Sequence, residues 1–298
     1  MNNENLKLVP EWATQNETHD LVLSNDIDSL ASCAVLNKVK GWKIRYFYDF
    51  NNVYKEYKYE EDNEKCWVDV AIKEGHAFDN HVSRLTLMDD WNEDMVNLNQ
   101  MLWVTNEVYG DKYAGSTLLE IWSIYNVPLP KTEKGKMLLL AIDVSFKGFY
   151  SDKFHDTQKH YLVDVLGFKE LYDVIKRHKS YEFYDLIAEY GLNADINYKN
   201  GHLKTNLRLK EIGKLLELDL ELPTETYTII EKLDVIEEDV KSYHNCIEDV
   251  SINVKTLALT YKNKMRYSKV HKEPKQNSYN IFLNLMKERT EVCTYAEE

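Results

Sequence analysis

The sequence predicts an α/β protein: a doubly wound, mostly parallel sheet in the first half of the chain, followed by a second, mainly helical domain. Three observations carry this. A strand-like apolar run, a helix-spaced segment and a second strand-like run follow one another near the N-terminus. A third apolar run has the continuous character of a strand covered on both faces, and from about Ser151 the texture turns to helical periodicity. The two units are expected at residues 1–150 and 151–298.

Residues 20–24 (Asp-Leu-Val-Leu-Ser) and 43–50 (Lys-Ile-Arg-Tyr-Phe-Tyr-Asp-Phe) read as strands. Between them Leu30, Ala34, Val35 and Val39 recur at helical spacing, and Gly41 supplies a stop, which makes a β-α-β unit. A polar, acidic stretch from Lys55 to Lys65 leads into a third strand at Cys66–Ile72. Asp90–Leu98 and Ala114–Tyr125 read as helices, the second ended by Asn126 to Pro130. Met137 to Val144 is apolar enough for a strand or a buried helix, and periodicity does not separate the two. Further on, Tyr161, Leu162, Val165, Leu171 and Ile175 share one helical face, and Ile229, Leu233, Ile236, Val240 and Tyr243 share another. Gly191 to Gly201 is a turn-rich break between them.

With 298 residues and 44% hydrophobic content, the chain can bury a sizeable core without disulfides, and Cys33, Cys66, Cys246 and Cys293 lack the close spacing of a zinc or redox motif. The formal charge of −13 argues against a broad phosphate-tracking surface, so long duplex nucleic acid is not an expected partner. A short oligonucleotide or nucleotide could still be met at a local basic patch, for which Lys262–Lys272 with Lys275 is the strongest stretch, although that run reads first as a solvated face. The tyrosine-rich cluster Tyr46, Phe47, Tyr48 and Phe50 could stack bases, but alternation along a strand points most of it into packing. No secretion signal begins the sequence and no apolar run approaches the ~18 residues of a membrane span, so the expected location is cytoplasmic with no membrane partner.

The chemistry resides in the acids. Asp26 and Asp28 follow the first strand directly, where two carboxylates desolvated side by side are costly unless a cation neutralises them. The competing reading is a helix start, since Asp is favoured at the positive end of a helix. Asp69 in the third apolar run is harder to explain without a ligand, because a covered strand does not tolerate an unpaired acid. Asp143 closes Met-Leu-Leu-Leu-Ala-Ile-Asp, and Asp79-Asn80-His81 lies between. His76, beside Gly75, is a weaker candidate ligand, and His155 and His160 read as structural or exposed.

This order of an Asp-x-Asp at a strand end, a lone strand Asp, an Asp-x-His tripeptide and a later Asp resembles the four motifs of the DHH phosphoesterase superfamily, which includes RecJ-type exonucleases, nano-RNases and family II inorganic pyrophosphatases. The resemblance covers about the first 150 residues. It implies a hydrolase with two manganese or magnesium ions acting on a phosphate ester: a short oligonucleotide, a nucleotide or a cyclic nucleotide. Asp69 would bridge the ions, Asp26 would serve one, and Asp28 and Asp143 the other. His81 would contact the substrate phosphate or a metal, and Asp79 would orient the loop from behind. The chain departs from the pattern at Ser24 and Asn80, where the family commonly has metal-binding histidines, and it lacks the Gly-Gly-Gly-His stretch of many polynucleotide-cleaving members. Those departures motivate an alternative: a catalytically degenerate, phage-encoded relative that works as a binding or inhibitory protein.

Overall fold

The computed structural model describes residues 1–232 apart from 62, 73 and 85. Short helices α1 (Asn3–Leu6) and α2 (Glu11–Thr14) precede strand β1 (Asp20–Leu23). Helix α3 (Ile27–Lys40) follows, started by the Asp26 side chain, which accepts from Ser29 N, and closed by Gly41 in the left-handed region at φ 76°. Strand β2 (Lys43–Tyr48) then pairs parallel with β1, completing the expected β-α-β unit.

The expected polar stretch after it opens with a strand instead. The Asp49 carboxylate accepts from the backbone N–H groups of Asn51 and Asn52, the chain reverses, and β3 (Asn52–Glu56) returns antiparallel to β2. Strand β4 (Lys65–Val68) pairs parallel with β1 on its other side. It stops earlier than the predicted Cys66–Ile72: Asp69 takes a left-handed φ of 60°, so that residue follows the strand and does not sit inside it. Parallel strands β5 (His76–Phe78) and β6 (Met95–Val96) extend the sheet. The helix expected at 90–98 does not form. Asn92 donates to Ile72 O and Gly75 O and accepts from Asp94 N, which fixes a turn there, and Asn97 caps only a short helix α4 (Leu98–Met101).

Helices α5 (Thr117–Ile124) and α6 (Glu133–Ala141) come next, so the ambiguous apolar run from Met137 is helical, with a 3-10 turn at Ile142–Val144. Then follow α7 (His155–Lys159), α8 (Lys169–Arg177) and α9 (Ser180–Tyr190). The turn-rich break holds a hairpin of β7 (Asn197–Lys199) and β8 (His202–Lys204), after which come α10 (Leu209–Leu216) and β9 (Tyr227–Lys232). Ile229 therefore lies in a strand rather than on the predicted helical face: β9 pairs antiparallel with β3 at the edge of the sheet. Leu233, Ile236, Val240 and Tyr243 lie outside the described residues, as do the basic stretch at 262–275, Cys246 and Cys293.

The seven strands run in the order β6-β5-β4-β1-β2-β3-β9, parallel from β6 to β2, and the helices make this an α/β protein. The sheet separates two clusters of buried side chains. One holds Leu21, Leu23 and Phe47 together with the packed sides of α3, α5, α6, α8 and α9, and it runs without a break from Val9 to Tyr227. The other, with Val22, Tyr46, Tyr48 and Val70, is built from strand and loop residues. The tyrosine-rich stretch of β2 thus divides between the two faces and is buried throughout. Among the described residues no helix is long and apolar enough to cross a membrane.

Candidate carboxylate centre

β1 lies between β2 and β4: the chain first moves one way from β1 through α3 and later returns to place β4 on the other side. Chain connections diverge at such a point and leave a crevice at the C-terminal ends of the strands. Asp26 and Asp28 follow β1, Asp69 follows β4, and Asp79-Asn80-His81 follows β5, so all of them emerge along this one edge.

Both readings of the first pair hold in part. Asp26 caps α3. Asp28 is 4% exposed, in the first turn of the same helix, but its two carboxylate oxygens serve another one: they accept from Thr117 N and Leu118 N, each at 2.8 Å, at the start of α5. Those N–H groups and the positive helix end favour a charged carboxylate. Asp69 accepts at Oδ1 from the Thr117 hydroxyl at 2.9 Å. Asp143 lies in the turn after α6 with φ 48°, and its Oδ2 accepts from the Asn80 amide at 3.3 Å. Non-glycine residues at positive φ are sparse, and Asp69 and Asp143 both hold that conformation at the crevice.

The acids lie close enough to act on one another's ionisation. Burial, then the charges of Asp69, Asp143 and Asp26, raises the Asp28 carboxyl well above the ordinary range. Burial and Asp26 do the same to Asp69, against the opposing charge of His81. Asp143 is raised by burial, again with His81 opposing and Asp26 adding. Carboxylates that suppress one another's ionisation in this way are what a bound cation would relieve.

Asp79 is fully buried and spends both oxygens locally. Its Oδ2 accepts from His81 N at 2.9 Å and Asn97 Nδ2 at 2.8 Å, and its Oδ1 meets His81 Nδ1 at 2.6 Å. The His81 side chain is 51% exposed, leaving Nε2 as the ring atom for a ligand. Burial alone would lower the His81 pKa, but the charge and hydrogen bond of Asp79, with Asp69 and Asp143 adding, push it up to about 10. Asp69, Asp79 and His81 place ligand-capable atoms within 4.8 Å of one another. Asp26, Asp28 and Asp143 surround that trio at electrostatic range. With both its oxygens engaged, Asp79 acts within the trio by holding the His81 ring.

Sequence reasoning missed the residues that brace this edge. Asn97 also donates to His81 O, and Asn99 donates to Asn80 O and Tyr113 O, so two asparagines after β6 hold the tripeptide loop in place. Gly115 O accepts from Asn80 Nδ2 at 2.6 Å, and Thr117 binds both Asp28 and Asp69. The signal available was Asn-x-Asn directly after an apolar pair and Gly-Ser-Thr before an apolar helix, both patterns of backbone capture.

His76 does not join this centre. It opens β5 at the opposite edge of the sheet, where it is buried beside His19 and Trp12. His155 stands at the start of α7 and His160 follows its end, next to Asp156 and Asp164. Comparison with protein-family models, with curated proteins and with solved structures found no match to this chain.

Proposed function

We propose that the chain is a divergent DHH-type phosphoesterase, which uses two divalent ions to hydrolyse a short oligonucleotide, a nucleotide or a cyclic nucleotide. The observation that carries this reading is the gathering of Asp26, Asp28, Asp69 and Asp143 at one edge of the sheet, where burial and neighbouring acids raise the carboxyls of Asp28, Asp69 and Asp143. The residues fit a hard cation. They supply carboxylate oxygens, and the hydroxyl of Ser24, buried at the end of β1, has no hydrogen-bond partner. Asp69, Asp26 and Asp143 are the residues to hold the ions; Asp28, tied to α5 through both oxygens, keeps only its remaining lone pairs for that purpose. When bound, such ions supply Lewis-acid stabilisation of phosphoryl charge and activate water. His81, held by Asp79 through Nδ1 and half-exposed, suits contact with the anionic phosphate.

The doubly wound sheet and a mainly helical second domain from residue 151 belong to the same reading, of which residues 233–298 lie outside the described ones. They do not come from the core described above, which runs across residue 150.

Hydrolysis of bis(p-nitrophenyl) phosphate, a short oligonucleotide and a cyclic dinucleotide with added Mn²⁺ tests the proposal. Turnover that stops with chelator and falls at least about 100-fold in Asp69→Asn supports it. Absence of turnover on all three, together with no binding of Mn²⁺ or Mg²⁺, removes it.

One observation favours the degenerate alternative. The Asn80 amide, at the position of a family histidine, is spent on Gly115 O and Asp143. A binding or inhibitory protein would retain its biological activity in Asp69→Asn without any turnover.

A further inference from the structure

Three strands begin side by side on the edge of the sheet opposite the carboxylates. His19 immediately precedes β1, Glu64 immediately precedes β4, and His76 opens β5. Because β1, β4 and β5 are adjacent and parallel, three residues far apart in sequence meet there, with ligand-capable atoms within 4.8 Å of one another.

The histidines are not ordinary core fillers. His19 is 1% exposed and neither of its ring nitrogens makes a hydrogen bond; His76 is 8% exposed and its Nδ1 is unpartnered. The nearest carboxylate oxygens stand beyond hydrogen-bond range: Glu64 Oε2 is 3.6 Å from His76 Nδ1, and Glu17 Oε2 is 4.0 Å from His19 Nε2. The Glu64 carbonyl lies near His19 without meeting hydrogen-bond geometry. Buried polar atoms left without partners are costly and rare, so this cluster calls for a missing partner. The rings are also held in place. Trp12 stacks on His76 at 4.2 Å between centroids, Trp42 meets His19 edge-on at 4.6 Å, and the two imidazoles cross at 84°.

We infer that His19, His76 and Glu64 form a site for one first-row transition-metal ion of the Zn²⁺ or Co²⁺ class, distinct from the carboxylate centre. Two imidazoles and one carboxylate are a donor set that such ions favour and that Mg²⁺ and Ca²⁺ do not. Glu64 is 57% exposed on its side chain and gives an entry path, and Glu17 is the nearest further oxygen donor. Since each ligand stands at the start of a different strand, the ion would tie β1, β4 and β5 together at the edge away from the catalytic crevice. The site therefore acts on stability, and it does not depend on the function proposed above.

The test uses the full chain stripped of metal with chelator, titrated with Zn²⁺ by calorimetry and with Co²⁺ by visible absorption. One tightly bound Zn²⁺ is expected, retained in Asp69→Asn, with a rise in thermal midpoint. Glu64→Gln, an exposed change that spares the packing, should weaken it by about 10–100-fold. In ring-nitrogen NMR spectra His19 and His76 should shift on Zn²⁺ addition. Unchanged affinity in Glu64→Gln, binding that disappears in Asp69→Asn, or Zn²⁺ binding without a shift of those two rings would each overturn the inference.

Discussion

The two edges of one sheet present opposite chemistries. At the C-terminal edge, loops after β1, β4 and β5 gather carboxylates, each already braced by a backbone, hydroxyl or amide donor. At the N-terminal edge the starts of the same three strands gather two imidazoles with unpartnered nitrogens, packed among tryptophans. Parallel strands make both possible, because residues that flank neighbouring strands at the same end meet in space. The difference lies in what each edge lacks: the acids outnumber the positive charge of His81, and the imidazoles carry ring nitrogens without hydrogen-bond partners. One arrangement suits a hard ion, the other a borderline ion.

The largest break of this contrast is Asp69→Asn, which should reduce Mn²⁺-dependent hydrolysis at least about 100-fold while leaving Zn²⁺ binding at the other edge unchanged. Equal loss at both edges, seen by calorimetry, would mean that the two sites are one. Asp79→Asn should cost about 10–100-fold in turnover by releasing His81, and an NMR titration should find the His81 pKa well below about 10. A His81 pKa that stays high would assign the effect to Asp69 and Asp143 instead.

Acid–base linkage should bend stability from opposite sides. Asp28, Asp69 and Asp143 have raised pKa values when folded, so above the ordinary aspartate value of 3.8 the folded chain holds more protons than the unfolded one. Stability of the ion-free protein from these groups therefore falls as pH rises from 3.8 through the raised values, and Mn²⁺ should remove that fall. His19 acts the other way. Burial, then His76, lowers its pKa, so below the ordinary histidine value of 6.5 the unfolded chain takes up the proton first and stability falls as the solution is acidified. Denaturation midpoints across pH, with Mn²⁺ and Zn²⁺ added separately, check both limbs. The smallest effect concerns Glu120, buried in α5 with both oxygens unpartnered and its pKa raised by burial and by Asp79. Glu120→Gln should raise the thermal midpoint at neutral pH by about 2–4 °C for each kcal/mol recovered, and by less near pH 4.5, the ordinary value for Glu.

Much of the carboxylate edge was legible from local pattern. A run of apolar residues followed by Asp-x-Asp and a helix signal marks a strand end, and Gly41 marks a helix end, because each feature depends on neighbours in sequence. Asp69 was recognised by its charge in an apolar run, although its left-handed backbone, which ends β4, was not visible. The short strands β5 and β6 escaped because two or three residues carry no period, and the Asn92 turn that replaces the expected helix depends on the carbonyls of Ile72 and Gly75, well back in the sequence. The opposite edge was hidden for the same reason. His19, Glu64 and His76 share no spacing, and only the strand order brings them together.

Binding of Mn²⁺ to the chelator-treated 298-residue chain, read by electron paramagnetic resonance and calorimetry in wild type and in Asp69→Asn, decides whether the acids hold a pair of ions. Two ions per wild-type chain in a spin-coupled pair are expected, with loss of that pair in Asp69→Asn. Wild-type protein that takes up no Mn²⁺, or takes it up equally well in Asp69→Asn, would contradict that expectation.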